Sequence, residues 1–327
     1  MDTLAQRFFL SLMRILVTGI AGYIGTNFAL RMVDEGYDVA GVDSFSEYYD
    51  PKIKRANAAF LDRSGVKVYG KDLAVDPLDE IVMGADCVVH FAGQPGISEK
   101  TPWADYNRNN TVATHRLLEA SQRRMIDKFV NISSSSVYGI RAMDAEVTEP
   151  KPASWYGETK LAAELEVMGA FRLSGFPACS LRLFSVFGER ERPEKLFPKL
   201  IRAIDEDSDF PLFKGSLDHQ RSYSYVGDIC EGILTTIENW NKAVGEIFNL
   251  GTDQCFTTRR AIRTVEEIMG KKARIATRPA RPGDQRATHA NIEKVRSRLG
   301  WEPKTSLREG LEKMVAWYEA EIRGKSD

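Results

Sequence analysis

The strongest constraint on the fold of this chain is a repeated alternation of short apolar runs with amphipathic stretches. The runs are RILVTG, DVAGVD, VKVYGKD, DCVVHFAG, KFVNISS and ACSLRLFSV. Between them lie segments such as GTNFALRMVDEG and NTVATHRLLEASQRR, whose apolar residues recur at helical spacing. A strand that is apolar at successive positions is buried on both faces, as in a parallel sheet covered by helices. The alternation therefore predicts a doubly wound α/β sheet over residues 13–184.

After residue 185 the pattern changes. GERERPEKLFPKLIRAIDEDSDFPLFKGSLDHQRSYSYV is charged, carries proline and aromatic residues, and has no clean period. VGDICEGILTTIENW then reads as an amphipathic helix and GEIFNLG as a last short strand. The expected organisation is a sheet domain from 13–184 plus 226–250, with a smaller, discontinuous α/β lobe from 185–225 plus 251–327 over one end. Residues 1–12 read as an extension ahead of the first strand, because the FFLSLM run is too short to span a membrane.

Composition narrows the partners. Of 327 residues 43% are hydrophobic and 28% charged, as in a soluble globular protein, and a net charge of −1 offers nothing to attract nucleic acid or an anionic membrane. Four cysteines and four histidines are scattered without paired spacing, so neither a disulfide framework nor a metal site is expected. That cysteine usage suits a reducing cytoplasm.

Three motifs carry chemistry. TGIAGYIGTNF follows the first strand and opens a helix, with Gly19, Gly22 and Gly25 in GxxGxxG spacing. Glycine lets the backbone approach a pyrophosphate at the positive end of a helix, Tyr23 and Ile24 included. Asp43 ends the second strand, where a carboxylate accepts from adenosine ribose hydroxyls and repels a 2′-phosphate; with Ser44 beside it, this favours NAD over NADP. Asp72, Leu73, Phe91, Ala92, Gly93 and Gln94 follow the third and fourth strands, at the edge that lines a cofactor crevice; Asp72 reads equally well as a helix cap.

The third motif is paired. NISSSSVYG ends the fifth strand, and SWYGETK follows, placing Tyr156 and Lys160 four apart on one helix face. A second Tyr-x-x-x-Lys, Tyr48 and Lys52 in YYDPK, competes with it, but Pro51 cannot continue a helix interior. Tyr156 is the better candidate.

The order TGxxGxxG, Asp after strand two, SSSSVYG and YxxxK resembles the extended short-chain dehydrogenase/reductase family, over Met13 to about Tyr318. It is most similar to the nucleotide-sugar 4-epimerases, with support from LRLFSVFG, RERPEKLF, RSYSYVGDI and RPGDQRATHA. The resemblance implies a Rossmann domain holding NAD, a substrate-binding second lobe, and a homodimer built on helices 105–124 and 155–174. It implies that Tyr156, as a phenolate, takes the C4 hydroxyl proton of a UDP-sugar. Lys160 and the nicotinamide would lower the Tyr156 pKa, Ser134 would shuttle the proton, and hydride would pass to NAD and back.

In the related dehydratases an Asp–Glu pair stands where this chain has Ser135 and Ser136, so epimerisation is the expected reaction; a decarboxylase, a reductase and a non-catalytic NAD-binding regulator are the alternatives. Motif positions further assign Arg192, Arg221 and Arg281 to diphosphate or sugar, Asp284 to the uridine ribose, and Leu196–Phe197 to uracil. Ser185 stands in for a threonine beside the sugar, Ser98 replaces an arginine, and Thr288 holds the pocket-gating position. A neutral hexose, its N-acetyl form and a uronic acid all remain open.

Overall fold

A computed structural model describes residues 13–98, 100–279 and 286–325. Seven parallel strands form the main sheet: β1 (Arg14–Thr18), β2 (Asp38–Asp43), β3 (Lys67–Gly70), β4 (Cys87–His90), β5 (Lys128–Ser134), β6 (Ala178–Leu183) and β7 (Ile247–Leu250). Their order is β7-β6-β5-β4-β1-β2-β3, so the chain winds outward from β1 in both directions. This is the Rossmann-like α/β arrangement that the alternating pattern implied. The extension at residues 1–12 lies outside the described residues.

Side chains alternate between two cores. Ile15, Val17, Val89 and Val130 join one cluster, while Leu16, Val88 and Phe129 join the other. Because both faces are covered, a central strand position stays polar only with a partner, as Thr18 and His90 do for each other at 2.7 Å. On the far half of the sheet Asn131 pairs in register with Ser180, and Ser133 with Arg182 and then Asn249, giving a buried polar stripe across β5, β6 and β7.

The helix Trp155–Ser174 covers that stripe, starting from a Ser154 cap and ending at Gly175 in the left-handed region. Its Glu164 and the Arg182 guanidinium are 1% and 2% exposed and meet through two or more N–H···O bonds of 2.6–3.2 Å. Arg182 also donates to the Tyr138 hydroxyl, which donates to Asn249. A charge pair this deep is stabilising only while every lone pair is met, and removing one partner strands the other.

A third cluster, including Phe187, Phe197, Leu200, Tyr223, Ile262 and Leu311, packs the segments that follow residue 185. A small sheet in the order 256–257, 220–221, 287–288 and 141–142 ties these segments to the loop beyond β5. No helix among the described residues is long and apolar enough to cross a membrane.

Candidate active site

The carboxyl ends of the parallel strands carry the predicted residues. At the turn after β1, Gly19 has φ +67°, and a Cβ there would lie 2.8 Å from the Ala92 nitrogen. A Cβ on Gly25 would lie 2.4 Å from the Gly19 carbonyl oxygen, so the helix Tyr23–Asp34 can approach the turn only with glycine there. Gly22 caps that helix without a side chain, and the first turn holds no acid. The N–H groups of the first turn have no intrahelical acceptors, so an anion is the natural partner for them.

Asp43 is buried, accepts from the Ala21 and Phe45 N–H groups at 3.2 and 2.8 Å, and retains acceptor capacity beyond those two bonds. Burial raises its pKa, while Lys54 and the two N–H groups oppose the rise. Ser44 beside it is exposed. The glycine turn, the open helix end and the acceptor at Asp43 together fit a dinucleotide. Asp72 turns out to be occupied locally: it accepts from the Ala74 N–H at 2.9 Å and pairs with Arg108 at 2.6 Å. Leu73 is buried, whereas Phe91, Ala92 and Gly93 line the end of β4 with partial or full exposure.

Ser134 ends β5, its hydroxyl accepting from the Ser136 N–H at 3.1 Å, and lies beside Tyr156, the second residue of the 155–174 helix. Burial raises the Tyr156 pKa; the Ser134 contact and the Arg192 charge lower it, and Tyr48 raises it further. The Lys160 ammonium donates to the Ile132 carbonyl. Burial lowers Lys160 to about 8, with Glu164 opposing.

On the facing side Arg192 is nine-tenths buried. Its Nη1 lies 3.0 Å from Glu194 but makes no hydrogen bond of acceptable geometry. The Nε2 of buried Gln94 and the Oγ1 of buried Thr288 likewise have no partner. Ser135 is buried in the short helical turn that starts at Ser134, and Ser185 is half-buried after β6. Leu196 and Phe197 open an uncapped helix, Leu196–Asp205, with Phe197 buried. Arg221 sits on the small sheet beside the strand that carries Thr288. Arg281 and Asp284 lie outside the described residues.

Three neighbours escaped the sequence reading. Asn110, 1% exposed on a π-helical turn (Asn107–Val112), accepts from the Gln94 N–H at 2.7 Å and donates to Thr159 at 2.9 Å. It thus ties the β4 loop to the residue before Lys160. The signal was present as paired asparagines inside an amphipathic helix, where they are locally unfavourable. Tyr106 donates to the Gly96 carbonyl at 2.6 Å, and its ring lies 6.3 Å from that of Tyr156. Tyr48, set aside as the second Tyr-x-x-x-Lys, faces Arg192. Its lysine is separated from it by the start of a helix at Pro51.

Comparisons with known proteins agree with this geometry. The pattern of the NAD dependent epimerase/dehydratase family matches residues 15–251. The chain is 31% identical over 321 residues to the uncharacterised UDP-glucose epimerase YtcB of Bacillus subtilis, covering 96% of this chain and all of that one. It superposes with TM-score 0.89 and 31% identity on UDP-glucuronic acid 4-epimerase from Bacillus cereus in complex with UDP-glucuronic acid and NAD, covering 94% and 99% of the two chains. The dTDP-glucose 4,6-dehydratase DesIV of Streptomyces venezuelae follows at 0.86 and 25%, covering 96% and 98%. With residues 15–251 matched by the family's pattern and a relative aligned over its full length, the chain belongs to the NAD dependent epimerase/dehydratase family.

Proposed function

We propose that this protein is an NAD-dependent 4-epimerase of a UDP-sugar, with UDP-glucuronate and UDP-galacturonate as the favoured pair. The observation that carries the reading is the Ser134–Tyr156 contact with a buried, hydrogen-bond-deficient Arg192 nitrogen near it. The similarity to an epimerase that binds UDP-glucuronic acid supports it.

The Gly19–Gly25 turn and Asp43 would hold NAD, which supplies a reversible hydride acceptor. Tyr156 removes and returns the C4 hydroxyl proton, and Ser134 relays it. Tyr156 must ionise to do so, and Arg192 and Ser134 already lower its pKa against the effect of burial. Lys160 fixes the end of β5 through the Ile132 carbonyl and, with the nicotinamide, favours the Tyr156 phenolate. Arg192 receives the sugar carboxylate with in-plane N–H donors. Burial pushes the Glu191 carboxyl up to about 8, and the carboxylate paired with the guanidinium is that of Glu194, 3.0 Å from Nη1. Arg221, Arg281, Asp284 and the Leu196–Phe197 backbone would meet the nucleotide diphosphate, with Ser185, Gln94 and Thr288 around the sugar.

Serines at 135 and 136 offer no acid–base pair to abstract from C5, which favours epimerisation over elimination. The test is turnover of UDP-glucuronate in heavy water, read by NMR and mass spectrometry. The expected product is the C4 epimer without carbon-bound deuterium. Deuterium at C5, or a product lighter by water or carbon dioxide, overturns the reading.

We also propose the two-lobe division at 13–184 plus 226–250 and 185–225 plus 251–327, a cytoplasmic location, and a homodimer. For the dimer, the helices at 103–123 and 155–174 present exposed Trp103, Val112, Trp155 and Leu165, while Leu117, Leu118 and Met168 turn inward. A monomeric mass by light scattering at micromolar concentration would remove the dimer.

A further inference from the structure

Tyr48 belongs to the loop between β2 and the Pro51–Arg63 helix, and three short-range contacts fix that loop. Phe45 donates its N–H to Asp43 at 2.8 Å, Lys54 donates to the Ser46 carbonyl and hydroxyl at 3.0 and 2.8 Å, and Asp50 accepts from the Lys52 N–H at 2.9 Å. The loop thus runs from the carboxylate at the ribose end of the cleft to a tyrosine at the opposite end.

Three loops converge at that tyrosine. The Arg192 guanidinium carbon lies 5.5 Å from the Tyr48 ring centroid. A Cβ on Gly96 would lie 3.3 Å from the Tyr48 hydroxyl and 3.6 Å from Arg192 Nη2, so residue 96 leaves just enough room for both. Tyr106 holds the same Gly96 loop from beneath, donating to the Gly96 carbonyl and accepting from the Ser98 N–H at 3.1 Å.

The chemistry of a guanidinium explains what the ring does. Its five donors lie in its plane, while its faces are weakly hydrated and are attracted to aromatic rings. A ring beside the guanidinium therefore restrains Arg192 without taking a hydrogen-bond donor, and with Glu194 near Nη1 alone the other donors are left for an anion.

We propose that Tyr48 is a positioning residue for Arg192, and that it thereby sets a preference for sugar nucleotides with an anionic sugar over neutral ones. The inference rests on the assignment of Arg192 to the sugar carboxylate made above.

The experiment measures kcat and KM of the NAD-loaded protein for UDP-glucuronate and UDP-glucose, in the wild type, Tyr48→Leu, Tyr48→Phe and Arg192→Ala. Cofactor content and melting temperature establish that each variant is folded. Loss of a cation–π contact between a half-buried ring and a buried guanidinium predicts a KM for UDP-glucuronate raised roughly fivefold to tenfold in Tyr48→Leu. Turnover and the KM for UDP-glucose should stay unchanged, and Tyr48→Phe, which keeps the ring, should stay near the wild type. Equal losses on both substrates, an unchanged KM in Tyr48→Leu, or a Tyr48→Phe as impaired as Tyr48→Leu each overturn the proposal. If Arg192→Ala abolishes the preference and Tyr48→Leu does not, only this inference fails. A wild type that turns over neither substrate, or shows no preference for the uronate, overturns the underlying reading and this inference with it.

Discussion

The two banks of the cleft differ in how their buried polar groups are satisfied. On the bank formed by the first strands, Asp43 accepts from two backbone N–H groups, and Asn110 bridges Gln94 and Thr159. His90 lies between Thr18 and Thr114 at 2.7 and 2.9 Å. Exceptions there are the Tyr23 and Thr111 hydroxyls and, on β5, Asn131 Oδ1 and Ser133 Oγ. On the facing bank, and at the loop that meets it, Gln94 Nε2, Arg192 Nη1, Ser222 Oγ and Thr288 Oγ1 are buried without a partner. Native proteins leave few such groups, and a bound ligand is one physical reason to leave them. Folding satisfies Asp43, Asn110 and His90 on the first bank, whereas Arg192, Gln94 and Thr288 on the second keep polar atoms in reserve.

The largest expected effect tests the junction of the banks. Tyr156→Phe keeps the ring and removes the base, so turnover should fall by about two to four orders of magnitude while NAD remains bound. Near-normal turnover would move the chemistry to another residue.

Next is the charge pair beneath that junction. Glu164→Gln leaves Arg182 buried and uncompensated, and should destabilise the fold by about 3–5 kcal/mol in urea melts. Replacing both partners, Glu164→Gln with Arg182→Met, should recover most of that loss. If the double variant is no better than the single, the pair is not acting as a unit.

On the sugar bank, Arg192→Ala removes charge-assisted bonds each contributing about 1.5–3 kcal/mol, so kcat/KM for UDP-glucuronate should drop roughly 10- to 150-fold. The melting temperature should scarcely move, since this guanidinium has no well-formed hydrogen bond to lose. A large fall in melting temperature would mean that the sugar bank is structural after all, and the contrast between banks would collapse.

The effect at His90 is the smallest near neutral pH and grows as the pH falls. Burial lowers its pKa to about 3, with Lys160 adding to the shift. The folded state holds it neutral while the unfolded chain takes up a proton near pH 6.5. Its contribution is therefore complete above pH 6.5 and is lost as pH falls toward 3, at no more than about 1.4 kcal/mol per pH unit. His90→Gln should flatten the stability profile in that window relative to the wild type; parallel profiles would remove the histidine from the account.

The sequence alone determined what depends on neighbours along the chain. The alternation of apolar runs specified parallel strands buried on both faces, since a residue's face follows from its parity within the strand. The tight Gly19–Gly25 turn and the placement of Asp43 at the end of β2 were legible because they follow from backbone geometry within one strand–turn–helix unit. Ser134 and Tyr156 were legible as a pair once a resemblance supplied their partnership.

Tertiary structure decided the rest. It placed Tyr48 against Arg192, turned Lys160 onto the Ile132 carbonyl, and used Asn110 to join the β4 loop to the Tyr156 helix. It also aligned Asn131 with Ser180, and Ser133 with Arg182 and Asn249, into a polar stripe. A local reading treats β5 and β6 as simply buried, because each polar residue is singly scattered within its own strand. Whether such a group finds a partner depends on strand order and register, which bring together segments that share no local pattern in the chain.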